Sequence, residues 1–211
     1  MQIIQPLAEL LGEVDGPGEI DGPGGINGIA MLRHIERCGR VCYKSEWRIT
    51  EDSYAPFVRK IIANGHEAVL EHASATVRVV CDRGVSHEIV RHRLASYCQE
   101  STRYVGYDDI EVLCPQGLSE EQYAAWETAM LACEAAYQHM RALGCAPQIA
   151  RSVLPNALKT EITMTANLRE WRHFFKLRLG AGAHPQMREV AALILQALQS
   201  KIPIVFDGFI V

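Results

Sequence analysis

The sequence predicts an α/β fold of the α+β type: a central, mostly antiparallel sheet flanked by helices, with one long helix and a helical C-terminal half. Three observations carry this. Residues 73–81 and 158–166 alternate apolar with polar side chains, the period of half-buried strands. Ser119-Glu-Glu-Gln122 is a capping box that opens a helical pattern running to Leu143. Beyond Asn167 the apolar residues recur at three- and four-residue spacing through two further segments, which makes the C-terminal half helical.

In chain order, residues 12–28 repeat Asp-Gly-Pro-Gly and hold too little apolar surface to pack, which marks a surface loop or insert. Ile29 to Val41 follows helical spacing, and a second helix covers 51–64, beginning near Thr50 and stopping at Asn64-Gly65. His66 and His72 brace the turn that leads into the first strand, where Ala75, Val77 and Val79 share a face. From Gly84 onward Val85, Ile89, Val90 and Leu94 mark the apolar half of a short helix at about 100° per residue, and Arg93 falls within that half. Residues 105–114 read as extended. The long helix carries Tyr123, Trp126, Met130, Cys133, Ala136, Tyr137 and Met140 as an apolar stripe suited to a core or a subunit interface rather than to a cofactor, and Gly144 closes it. Pro147 starts a short helix that bears Arg151 and ends at Leu154-Pro155. On the second strand Ile162, Met164 and Ala166 face one way, Thr163 and Thr165 the other. Asn167-Leu-Arg-Glu170 reads as a capping box for a helix whose apolar face is Leu168, Trp171, Phe174, Phe175 and Leu179, with Arg178 in the middle of it. Gly180, Gly182 and Pro185 break the chain before an amphipathic helix of about 186–200, and Ile202 to Val211 is apolar enough to dock as a strand or extended cap.

At 211 residues, 48% hydrophobic and 22% charged, the chain suits a single domain spanning 1–211. No apolar run approaches the roughly 20 residues of a membrane span, and the start Met-Gln-Ile-Ile-Gln-Pro lacks a basic region followed by an apolar core, so a cytoplasmic protein without membrane contact is expected. None of the seven cysteines forms Cys-x-x-Cys, which favours reduced thiols over disulfides or zinc; Cys38 and Cys42 come nearest to a metal pair, and no metal site is expected. A net charge of −4 argues against broad nucleic-acid binding. Of the 21 basic residues 16 are arginines, the side chain suited to bidentate capture of phosphate and carboxylate, so the chain reads as a binder of small anions.

The densest cationic stretch runs from Arg91 to Tyr104: Arg-His-Arg-Leu-Ala-Ser-Tyr-Cys-Gln-Glu-Ser-Thr-Arg-Tyr. An arginine on an apolar helix face must snorkel, pair with a buried carboxylate or meet a bound anion. Arg93 and Arg178 are both placed so. The stretch resembles the Arg-His-Arg-x-x-Ser-x-Asn-x-x-Ser-x-Arg signature of the flavin-dependent thymidylate synthases, with Arg91, His92, Arg93, Ser96, Ser101 and Arg103 in register and Cys98 in place of Asn. Six such matches at one spacing arise by chance on the order of once in 10⁷ starting points. The Gly65-to-His72 turn, Ala150-Arg151-x-Val-Leu-Pro155, and Thr165-Ala-Asn167-x-Arg169 through Leu177-Arg178 also follow that family's order, so the likeness covers most of residues 30–200.

The resemblance implies an enzyme that makes dTMP from dUMP, with 5,10-methylenetetrahydrofolate giving the one-carbon unit and NADPH the reducing equivalents through FAD. It implies a homotetramer with FAD at subunit interfaces. Carried over by motif, Arg178 is the catalytic residue, its cation lying against the uracil edge. Glu88, Arg91, Gln99, Ser101, Arg103, Arg151 and Arg178 meet dUMP, with parts from neighbouring subunits. Ala68, Arg91, His92, Arg93, Asn167, Arg169 and His173 meet FAD. Three positions depart from the pattern besides Cys98: Ala68 stands at a Ser or Thr position, Glu88 where many members have Gln, and His173 where some have Asn. The competing expectation is a non-catalytic nucleotide- or RNA-binding module that grips phosphate with the same arginines; it calls for a basic surface stripe, exposed aromatics and steep salt dependence.

Overall fold

The structure, a computed structural model, describes residues 1–14 and 27–210. Its strands are β1 (Gln2–Ile4), β2 (Leu7–Val14), β3 (Ser74–Asp82), β4 (Ala95–Gln99), β5 (Glu111–Leu113) and β6 (Lys159–Asn167). The α-helices are α1 (Gly28–Val41), α2 (Tyr54–Ala63), α3 (Arg83–Ile89), α4 (Glu120–Ala142), α5 (Pro147–Ala150), α6 (Leu168–Arg178), α7 (Pro185–Gln199) and α8 (Pro203–Phe206). β2, β3, β6 and β4 pair in that order, antiparallel throughout, while β1 and β5 form a separate parallel pair.

The alternation in β3 and β6 becomes the two faces of this sheet. Ala75, Val77, Val79, Ile162 and Met164 are fully buried on one side. On the other, Thr76 and Thr165 share a 2.9 Å hydrogen bond and Arg78 donates to Glu161 at 2.8 Å, which keeps that face polar. Against the buried face pack α1, α6 and α7, with Trp171, Phe174 and Phe175 fully buried and Phe206 stacked edge-on to Phe175. Trp171 satisfies its indole N–H on the Ala75 carbonyl at 3.1 Å, which pins α6 to the sheet. α4 buries only Met130 and Tyr137 deeply, against a second cluster of Ile110, Val112 and Leu158.

Several expectations change. The helix from Gly84 stops at Ile89, and Ala95–Gln99 is a strand, so Val90 and Leu94 are exposed and Arg93 lies exposed on a turn, not in an apolar helix face. Their i, i+4 spacing imitated a helix, but pairing of Ala95 with Ala166 and Gln99 with Ile162 extends the sheet instead. Residues 105–114 are strand only at Glu111–Leu113, and the second helix begins at Tyr54 rather than near Thr50. The tail docks through the helical turn α8, with Ile202, Val205 and Phe206 fully buried, not as a strand. Of the Gly/Pro-rich 12–28 segment, residues 15–26 lie outside the described residues, 12–14 finish β2, and Asn27 caps α1 by accepting from the Ala30 N–H at 3.0 Å.

Candidate active site at the rim of the sheet

The site is built around the ends of β4 and the starts of the segments that flank it. At the Ala95 end, the turn from Val90 to Leu94 meets the end of β6, where Asn167 closes the strand and caps α6 by accepting from the Glu170 N–H at 2.8 Å. Only this half of the expected capping box forms: the Glu170 carboxylate turns instead toward His92, with Oε1 3.3 Å from Nδ1. Tyr97 clamps the turn by donating its hydroxyl to the carbonyls of Ile89 at 3.0 Å and His92 at 2.6 Å.

Arg178, the last residue of α6, reaches this turn and makes three contacts. Its Nε donates to His92 Nε2 at 3.0 Å, Nη1 to Glu88 Oε2 at 2.8 Å and Nη2 to the Glu88 carbonyl at 3.0 Å. With its side chain 18% exposed, it sits half-buried on the apolar side of α6, with Nε, Nη1 and Nη2 each engaged. Burial, the Arg178 guanidinium and His173 together push His92 down to about 4. His92, Glu170 and His173 bring three potential donor atoms within 4.8 Å of one another, but the guanidinium bonded to His92 opposes a further cation there.

His92 thus leaves a testable mark on stability. Its folded value lies below the ordinary 6.5, so between those values the unfolded chain binds the extra proton, and stability falls as pH drops through 6.5 toward about 4. Above that window its contribution is fully present and no longer changes with pH. In urea unfolding, the stability advantage of wild type over His92→Gln should shrink by on the order of 2–3 kcal/mol between about pH 7 and pH 4, since carboxylate titrations common to both proteins cancel.

Beside this end lies a cavity of about 510 Å³ lined by Asn167, Arg169, His173, Lys176 and Leu94 together with the carboxylates Glu67, Glu71 and Glu170. Arg169 pairs with Glu71, and Glu67 is held below the usual carboxylate range by Arg172 and Lys176 despite its burial. Ala68, in the 3₁₀ turn Glu67–His72, is exposed and offers backbone groups only.

The other predicted residues gather at the Gln99 end. Gln99 donates to Ser86 at 2.9 Å and Thr160 at 3.2 Å, Ser101 accepts from the Arg103 N–H at 3.3 Å, and Arg151 reaches Thr102 at 3.3 Å. The five residues of β4 span about 13 Å from Ala95 to Gln99. Arg91, Arg93 and Arg103 are exposed and make no ion pair among the described residues, and Arg103 stacks over Tyr104. Cys98 is exposed on β4, on the opposite strand face from Tyr97 and Gln99. Sequence reasoning missed Glu170, Tyr97 and Thr102. The first was absorbed into a capping motif, and the others carry no pattern that separates them from ordinary strand and loop residues.

An antiparallel sheet whose rim collects guanidiniums, imidazoles, carboxylates and a capped helix start defines an α+β protein with a densely charged sheet edge. The chain belongs to the thymidylate synthase complementing protein family, whose model matches residues 30–204. It is similar to the flavin-dependent thymidylate synthase of Geobacter sulfurreducens, 36% identical over 84% of this chain and 84% of that one, and to that of Pyrococcus furiosus, 36% identical over 76% and 71%. In fold it is similar to a UMP/dUMP methylase PolB from Streptomyces cacaoi solved with 5-Br dUMP, with a TM-score of 0.80 at 22% identity over 99% of this chain and 96% of that one.

Proposed function

We propose that the chain is a flavin-dependent thymidylate synthase that converts dUMP to dTMP, taking its one-carbon unit from 5,10-methylenetetrahydrofolate. FAD, reduced by NADPH, supplies the hydride. The observation that carries this reading is Arg178: a permanent cation fixed by three hydrogen bonds to the turn at the sheet rim, with two further guanidinium N–H groups left for a pyrimidine edge. A fixed guanidinium favours negative charge developing on the ring, which raises the electron density at C5 that methylation needs.

The residues around it divide the work. Asn167, Arg169 and His173 line the 510 Å³ cavity and offer an amide, a guanidinium and an imidazole to a dinucleotide, while Glu67, Glu71 and Glu170 line it as well and an anion there has to draw Arg169 away from Glu71. Arg91 and Arg93 on the adjoining turn, with the backbone at Ala68, complete the flavin-holding set, and His92, whose ring nitrogens face Arg178 and Glu170, belongs to it through the backbone of that turn. Glu88, Arg91 and Arg178 hold dUMP from the Ala95 end of β4, and Gln99, Ser101, Arg103 and Arg151 from the Gln99 end. By likeness to its relatives the chain forms a homotetramer, in which each nucleotide lies between one group from each of two chains.

The purified protein should be yellow or take up FAD. With NADPH and the folate supplied, it should release the hydrogen from C5 of dUMP. Colourless protein that ignores FAD and binds oligonucleotide would replace this reading with the phosphate-gripping module.

A further inference from the structure

An arginine Nε–H is always a donor, so the 3.0 Å contact from Arg178 Nε requires His92 Nε2 to carry a lone pair. The single ring proton of His92 then sits on Nδ1, facing Glu170 Oε1 at 3.3 Å. Both residues are buried, His92 at 4% exposure and Glu170 at 7%, so neither can exchange its partner for bulk water. We propose that Glu170 is a positioning residue for Arg178, acting through His92: by accepting from Nδ1 it fixes the imidazole tautomer that leaves Nε2 free to orient the guanidinium.

The surroundings leave this arrangement little freedom. Glu170 is tied at its backbone N–H to Asn167, and the His92 carbonyl is held by Tyr97. The Phe174 ring, with its centroid 4.8 Å from that of His92, closes the apolar side. The far edge of the guanidinium is set by Glu88, so His92 fixes the one edge that Glu88 does not. Without the carboxylate, a buried Nδ1–H has lost its acceptor, and the ring gains by placing its proton on Nε2. There it meets the Arg178 Nε–H donor to donor, and the guanidinium loses its alignment.

The proposal rests on the reading of Arg178 as the residue that faces the pyrimidine, and its test separates the two. In protein labelled with ¹⁵N-histidine, long-range ¹H–¹⁵N correlations near neutral pH report the tautomer of each of the eight histidines without any turnover. His92 is assigned by difference from His92→Gln. Wild type is expected to hold the Nδ1–H form. Glu170→Leu, which leaves no acceptor for Nδ1–H, is expected to move His92 toward the Nε2–H form and to lower kcat roughly 10- to 100-fold through misplacement of Arg178, with the KM for dUMP changing less, whereas Glu170→Gln keeps an amide oxygen in the same place and is expected to stay nearer to wild type. Wild-type His92 found as the Nε2–H tautomer or as imidazolium overturns the proposal even if the variant does not fold, and so does a folded Glu170→Leu enzyme with unaltered tautomer and kcat. A wild-type enzyme without synthase activity that holds the Nδ1–H form would overturn the functional reading and support the contact itself.

Discussion

Arg178→Ala is expected to lower turnover by about 10²- to 10³-fold, the loss typical of removing one preorganised donor from a site of developing charge. The fold should survive, because the guanidinium lies at the last turn of α6 and is not part of the buried aromatic layer. Flavin uptake should be less affected, since Asn167, Arg169 and His173 line the cavity without it. Arg178→Lys sharpens the expectation. It keeps the charge but has no Nε–H for His92 and no planar fork for Glu88, so it should recover only a small part of the lost rate. Steady-state kinetics together with a flavin absorbance titration on the same preparations check both variants.

Trp171→Ala should be the most damaging change outside the site, costing about 3–5 kcal/mol. The indole is fully buried, spends its N–H on the Ala75 carbonyl near the start of β3, and packs edge-on to Phe174 with ring centroids 5.5 Å apart. A cavity of that size beneath β3 consumes a large share of the 5–15 kcal/mol that holds an ordinary domain together. Trp171→Phe fills most of the space and loses mainly the hydrogen bond, so its urea midpoint should fall between wild type and Trp171→Ala.

The parts of the fold that could be read from the sequence are those whose signal is local. β3 and β6 alternate cleanly because one face is buried and the other carries Thr76, Thr165 and Arg78. The Ser119 capping box needs only four residues, and both of its hydrogen bonds form. What escaped depends on distant partners. β2 is a strand because it lies along β3, some 70 residues later, with Leu7 opposite Val80. β4 exists because Ala95 to Gln99 finds β6, and within Val90 to Leu94 nothing distinguishes a turn from a continuing helix. The apolar tail was ambiguous because a short buried run suits strand and helix alike.

The site divides along the same line. Arg178 stood out as a cation in an apolar helix face, and it does sit half-buried there, held by Glu88 and His92. The parallel reasoning for Arg93 failed, since the helix that would have buried it ends four residues earlier. The exposure of Arg91, Arg93 and Arg103 removes one argument for a closed pocket within a single chain, and it moves weight to a pocket closed between chains. Glu170 could not be found from the sequence, because its role depends on His92, 78 residues away.

The claim on which the account rests is that one chain carries two half-sites, one at each end of β4, and that a working site takes one from each of two chains. Mixed assemblies of Arg151→Ala and Arg178→Ala test it directly. Each variant alone should be nearly inactive, whereas tetramers formed from an equal mixture should regain about a quarter of the wild-type rate, because one site in four draws both intact arginines by chance. Mixed tetramers, verified by mass, that stay as inactive as their parents would contradict it and place both arginines on the same chain's site.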